Sequence, residues 1–197
     1  NMTSYSGWHG LIEKSWGSHG QALGLYLDNV GRLAMFVGYS YVSSSQSVST
    51  GVWHHVAGVR TDAGSVSLYL DGQLIRTGAL PAPGSYNYGW HLGHDQGGAS
   101  VSGMLDELAV WNVTRTEAEI RQAMLQGLTG GESGLVAYWK LDEGSGQIAG
   151  DSSGNGHHGR LGSSDQADSR DPQWTTPGFS WSAGPRVTAM SPEPGAT

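Results

Sequence analysis

Ser65-Val66-Ser67-Leu68-Tyr69-Leu70-Asp71-Gly72-Gln73-Leu74-Ile75-Arg76 is the stretch that decides how this chain folds. Val66, Leu68 and Leu70 alternate with Ser65, Ser67 and Tyr69. A period of two is the mark of a strand with one face buried. Asp71-Gly72 follows where a two-residue hairpin turn needs two left-handed residues, and Gln73 to Arg76 supplies the returning strand. Antiparallel pairing is thus written into one short segment.

The same grammar extends outward. Leu23, Leu25 and Leu27 alternate with Gly24, Tyr26 and Asp28, and Asn29-Val30-Gly31 turns the chain into a strand from Arg32 to Val37. Val52 to Arg60 reads as a further strand. Residues 77–89 are turn-rich, with Pro81, Pro83, Gly84 and Gly89, and a short strand from Trp90 to Gly93 and a longer one from Met104 to Trp111 come next. One helix is predicted. Thr116-Glu117-Ala118-Glu119 has capping-box spacing, and Ile120, Ala123 and Met124 form an apolar stripe that ends near Gly127. A Gly-rich joint at 127–134 leads into a strand from Leu135 to Leu141. Eight or more strands against one short helix predict an all-β fold, a two-sheet antiparallel sandwich.

Composition agrees with that reading. The 197 residues carry a formal charge of −7, 14% charged residues, 32 Gly and no Cys. Charged residues fall well below the roughly 25% of an average soluble protein, and Ser, Gly, Thr and Asn fill the polar positions instead. The acidic balance and the lack of a basic run argue against nucleic acid and anionic membrane as partners. No apolar run approaches the ~20 residues of a membrane-spanning helix, so no membrane insertion is expected. Without Cys there is no disulfide, no Cys-based zinc site and no thiol nucleophile. Asn1-Met2-Thr3-Ser4 shows no signal-peptide pattern and reads as an excised piece; the composition suits a bacterial extracellular protein.

Three segments together resemble the laminin-G-like jelly roll of the concanavalin A-like lectin/glucanase superfamily, over roughly residues 5–180. The first is Trp53-His54-His55-Val56-Ala57 followed by Ser67 to Gly72. The second is Gly103-Met104-Leu105-Asp106-Glu107-Leu108-Ala109-Val110-Trp111-Asn112 leading into Thr116 to Ile120. The third is Leu135 to Gly146 with Asp151-Ser152-Ser153-Gly154-Asn155-Gly156-His157-His158-Gly159. In the family the third segment begins a domain, yet here it comes last. Either residues 134–180 complete the sandwich in permuted order, or they start a second copy. Completion is favoured, because the family's first and last strands are sheet neighbours and a short 127–134 joint can link them. The jelly-roll domain is then 1–183. Residues 184–197, with Pro185, Pro192 and Pro194, read as a linker or the start of an Ig-like domain, which implies a modular secreted or surface parent.

Candidate chemistry is sparse. Asp106 and Glu107, within the strand expected from Met104 to Trp111, point to opposite faces, so one carboxylate faces apolar neighbours and needs a hydrogen-bond network, an Arg or a cation. Asp151-Ser152-Ser153-Gly154-Asn155-Gly156 offers a carboxylate, an amide oxygen and hydroxyls on a tight loop. Such hard oxygens suit Ca²⁺, which takes roughly 6–8 of them; an Asx-type turn without metal is the competing reading. The resemblance implies a structural calcium, with Asp106 and Asp151 giving carboxylates and Asn155 an oxygen. His54-His55 and His157-His158 are adjacent pairs whose rings diverge, so they read as packing or surface residues.

An enzyme reading finds no support in these residues. Retaining glucanases need two carboxyls about 5–5.5 Å apart, and neither Asp106-Glu107 nor Asp142-Glu143 converges. What remains is a binding surface. Tyr39, Tyr41, Tyr86, Tyr88 and Trp90 lie in or beside turn-rich segments, and flat rings stack on sugar faces. Asn87, Asp95 and Gln96 stand ready to hydrogen-bond hydroxyls, which makes Tyr86, Tyr88, Trp90, Asp95 and Gln96 the candidate ligand site. The expectation is a non-catalytic, lectin-like carbohydrate-binding module taking a cell-surface or polymeric glycan. The alternative is a spacer or adhesion domain that binds protein or no ligand.

Overall fold

A computed structural model describes residues 1–14, 22–84, 88–94, 100–162, 166, 167, 169 and 171–175. The hairpin on which the sequence reading turns is present as β6 (Ser65–Leu70) and β7 (Gln73–Ala79), with Leu70 opposite Gln73. Asp71 (φ 51°) and Gly72 (φ 72°) both adopt the left-handed backbone that a two-residue turn demands. β5 (Val56–Arg60) pairs with β6, completing a three-stranded antiparallel sheet.

The facing sheet has five strands. β1 (His9–Lys14), β2 (Ala22–Leu27), β3 (Arg32–Gly38), β4 (Ser40–Ser47) and β8 (Trp90–Leu92) lie in the order β4-β3-β2-β1-β8, all antiparallel. Leu25, Leu27, Leu33 and Met35 from this sheet meet Val56, Val66 and Leu68 from the other in one buried cluster. Among them, Leu25, Leu27, Val66 and Leu68 are the residues whose alternation marked them as inward-facing. The all-β antiparallel sandwich is therefore the fold.

β9 (Leu108–Trp111) pairs with β10 (Leu135–Trp139), and β11 (Ile148–Ala149) with β12 (Gly159–Arg160). Ala137, Trp139, Ala149 and Leu161 share the main cluster with Leu25 and Leu68. Between β9 and β10 lies α1 (Glu117–Gln126). Thr116 Oγ1 accepts from the Glu119 amide while the Glu119 carboxylate accepts from the Thr116 amide, so the predicted capping box closes at both ends. Arg121 Nε donates to Gly72 O at 2.8 Å, pinning the helix on the β6–β7 turn.

Strand limits depart from the sequence reading: β7 runs on to Ala79 into the segment read as turn, β10 stops at Trp139 short of Leu141, and β11 and β12 were not foreseen. The strand expected from Val52 starts at Val56, because Asp71 Oδ1, rather than a neighbouring strand, takes the His55 amide. The strand expected from Met104 starts at Leu108, because Glu107 is left-handed (φ 56°) and breaks the alternation. Asp106 and Glu107 are thus not strand residues. β4 was not foreseen at all: it is Ser-rich, and among its inward residues Ser44 is buried by hydrogen bonds, accepting from the Leu33 amide and donating to Gln46 O.

The 127–134 joint is fitted closely against the loop after β11. Gly130 has φ 96°, and a Cβ built there would stand 2.0 Å from Ser152 O. Gly130→Ala is therefore expected to destabilise by about 3 kcal/mol or more, combining backbone strain with a backbone clash. A urea titration checks it; a loss under ~0.5 kcal/mol would mean the joint moves freely.

Candidate functional site

Asp151 organises the loop between β11 and β12. Its Oδ1 accepts from the amides of Tyr138 and Ser153, each at 2.9 Å, and its Oδ2 from the amide of His157 at 2.9 Å. Its own amide donates to His158 Nδ1. Burial pushes the Asp151 pKa up, but the amide hydrogen bonds from Tyr138, Ser153 and His157 outweigh it, and the net shift is downward. Asn155 Nδ2 donates to Val136 O at 2.9 Å and Leu135 O at 3.1 Å, and Ser153 Oγ donates to Val136 O. The loop is laced onto β10 as an extra edge.

That lacing bears on the expected metal set of Asp106, Asp151 and Asn155. The Asp151 oxygens are engaged by three amides, and the Asn155 side-chain nitrogen is used as a donor to β10. Asp106 is half-buried. Among the described residues no group of three or more His, Asp or Glu is placed to hold an ion. Asp151 thus makes the Asx-type turn of the competing reading, and calcium at Asp106, Asp151 and Asn155 stays an expectation carried by the resemblance alone.

Two of the histidines of those adjacent pairs have structural partners or surroundings. His55 is fully buried, which holds its pKa down at about 3 and keeps the ring neutral. His157 O accepts from Trp139 Nε1. Glu107 accepts the hydroxyl of Tyr138, on the side of β9–β10 that carries Trp111.

The predicted ligand segment is only partly placed. Tyr86, Asp95 and Gln96, with Asn87, lie outside the described residues. Tyr88 is half-buried, and Trp90 packs its ring against the main core with Lys14 Nζ 5.9 Å from the ring centroid. Trp90 thus stands at the edge of the sandwich, partly buried against its core.

A different surface gathers the aromatic side chains. Across the outer face of the five-stranded sheet the register aligns His91, Glu13, Gly24, Phe36 and Tyr41 in one row. Phe36 and Tyr41 stack at 4.8 Å between centroids, and Trp8 meets Phe36 edge-on at 4.9 Å and Tyr41 at 5.6 Å. Tyr26 lies beneath, its hydroxyl donating to Glu13, which is only 1% exposed. Gly24 makes this layer possible: a Cβ there would stand 2.6 Å from the Tyr26 ring. Tyr26 and Phe36 are buried, whereas Tyr41 is 53% and Tyr39 84% exposed. The result is an exposed flat ring on a rigid aromatic base, suited to stacking on an apolar face that carries hydroxyls at its rim.

Tyr39 and Tyr41 were visible in the sequence; Trp8, Glu13 and Phe36 were not singled out. Their signal was the second phase of the β2 and β3 alternation, where Tyr26 and Phe36 oppose the leucines.

Residues 1–121 match the family profile Laminin_G_3, of the concanavalin A-like lectin/glucanases superfamily, and the chain belongs to this superfamily. The solved structure of a "putative carbohydrate binding protein" from Bacteroides ovatus is similar over 79% of this chain at 22% identity, with TM-score 0.65. The match covers 48% of that protein, so this chain spans about half its length. An S-layer domain-containing protein from Clostridium thermocellum aligns over 59% of this chain and 62% of its own, at 20% identity and TM-score 0.30. No curated protein matches the chain.

Proposed function

We propose that this domain binds carbohydrate on the outer face of its five-stranded sheet, as an extracellular or cell-surface module of a larger protein. The observation that carries the reading is Tyr41, exposed and stacked on Phe36, with Trp8 closing the cluster. Superfamily membership and the carbohydrate binding ascribed to the Bacteroides ovatus neighbour support the ligand class. Binding without glycosidic cleavage is the corollary. Glu13 is buried, and its cross-strand neighbours on that face are His91 and Gly24, so among the described residues no second carboxylate pairs across from it.

The test is a glycan array with calcium and with EDTA, followed by titration of the best glycan. Tyr41→Ala is expected to weaken binding roughly tenfold, the worth of one stacking contact, with the melting temperature nearly unchanged. Affinity unchanged in Tyr41→Ala would move the ligand off this face. No glycan in either arm would favour the spacer or adhesion reading. Calcium-dependent melting that disappears in Asp151→Ala would support the metal that the resemblance implies.

A further inference from the structure

Three side chains at one end of the sandwich take no part in that reading. Ser49 Oγ lies 2.6 Å from His54 Nε2, and His54 Nδ1 lies 2.8 Å from Asp71 Oδ2. A carboxylate only accepts, so Nδ1 carries the proton and Nε2 offers its lone pair to the Ser49 hydroxyl. Asp71 is itself held: its Oδ1 accepts from the His55 amide, its own amide donates to His55 O, and its backbone forms the β6–β7 turn under α1. The His54 side chain is 17% exposed and Ser49 lies at the surface, so a fixed ring meets an accessible hydroxyl.

Two further features suit the same chemistry. The His54 ring helps line a small apolar crevice with Leu11, Leu27, Val48, Val52 and Val56. Among the described residues, nothing accepts from the Ser49 and Thr50 amides, which leaves donors beside the hydroxyl for a developing oxyanion. We infer that Ser49, His54 and Asp71 form a hydrolytic site for small acyl esters, separate from the aromatic face. Ser49 Oγ adds to the ester carbonyl carbon as its proton passes to His54 Nε2. The ester C–O bond breaks, and the departing alkoxide takes that proton and leaves as the alcohol. A water, deprotonated by Nε2, then attacks the acyl-Ser49 carbonyl, releasing the carboxylic acid and restoring the hydroxyl. Asp71 is a positioning residue that holds the tautomer and faces the imidazolium.

The full chain is treated with a fluorophosphonate probe, the adduct is mapped by mass spectrometry, and p-nitrophenyl acetate hydrolysis is followed against pH. The expected result is label on Ser49, and hydrolysis that falls about 100-fold or more in Ser49→Ala while its melting curve is retained. Asp71→Asn keeps a residue tolerant of the left-handed turn, and is expected to slow labelling at least tenfold and displace the acid limb of the rate–pH profile. Ser49 unlabelled in folded protein, or Ser49→Ala hydrolysing as fast as the parent, overturns the inference. Those three residues would then be a strut between the β4–β5 connection and the β6–β7 turn. Glycan affinity is read separately and survives either result.

Discussion

Ending the chain at Gly131 is expected to abolish cooperative folding. The cut removes β10, β11 and β12, and with them Ala137, Trp139, Ala149 and Leu161 from the main cluster. It also strips Leu135 and Tyr138 from the second cluster, where they cover Ala109 and Trp111. Truncating one buried Trp to Ala costs about 3–5 kcal/mol, against a total stability of about 5–15 kcal/mol for a whole domain. The combined deletion exceeds that margin, and β9 would be left with apolar faces and an unpaired edge. A 1–131 fragment should therefore lack near-ultraviolet circular dichroism and a sigmoidal melt. We propose on this basis that residues 134–161 complete this sandwich. A soluble 1–131 fragment melting cooperatively would favour a second copy instead.

Asp151→Ala should produce the second large effect, a loss of about 3 kcal/mol or more, because three amides lose their acceptor together and that of Tyr138 is buried. Acid should act on the same protein through two groups with separate windows. The Asp151 pKa is depressed in the fold, so its contribution is present above the unfolded carboxylate value, near 4, and disappears as pH falls through the folded value. His55 falls from 6.5 to about 3 on burial. Between those values the unfolded chain binds the extra proton, so stability drops as pH falls, by about 1.4 kcal/mol per pH unit, and is complete above 6.5. Urea titrations from pH 7 to pH 3 should show the His55 slope first and the Asp151 contribution only below about pH 4. A profile flat from pH 6.5 to 4 would contradict the neutral, buried state of His55.

The parts of this fold that could be read from sequence are those whose causes are local. The 65–76 hairpin and the Thr116 capping box each place cause and consequence within one turn of chain. β4 escaped because serines have little strand preference of their own; only the Leu33 and Gln46 partners of Ser44 explain its burial. The start of β9 was misread because alternation says nothing about a left-handed residue such as Glu107. Site residues were harder still. Asp151 reads equally as a metal carboxylate or as an Asx turn, and one of the amides that bind it comes from β10, which composition cannot show. The aromatic row needs the register of five strands before Glu13, Phe36 and Tyr41 become neighbours. Ser49, His54 and Asp71 meet only once the β6–β7 turn stands beside the β4–β5 connection.

β4 carries one more implication, for how many copies of this domain behave together. It ends the widest sheet, and among the described residues no strand pairs with its outer side. A flat apolar ribbon in that position would invite copies to zip together edge to edge. Its sequence, Ser40-Tyr41-Val42-Ser43-Ser44-Ser45-Gln46-Ser47, offers hydroxyls instead, and the register slip between Arg32 and Ala34 puts a kink in the ladder. Crowded at high local density, such domains should stay as separate particles, their rims wetted rather than adhesive.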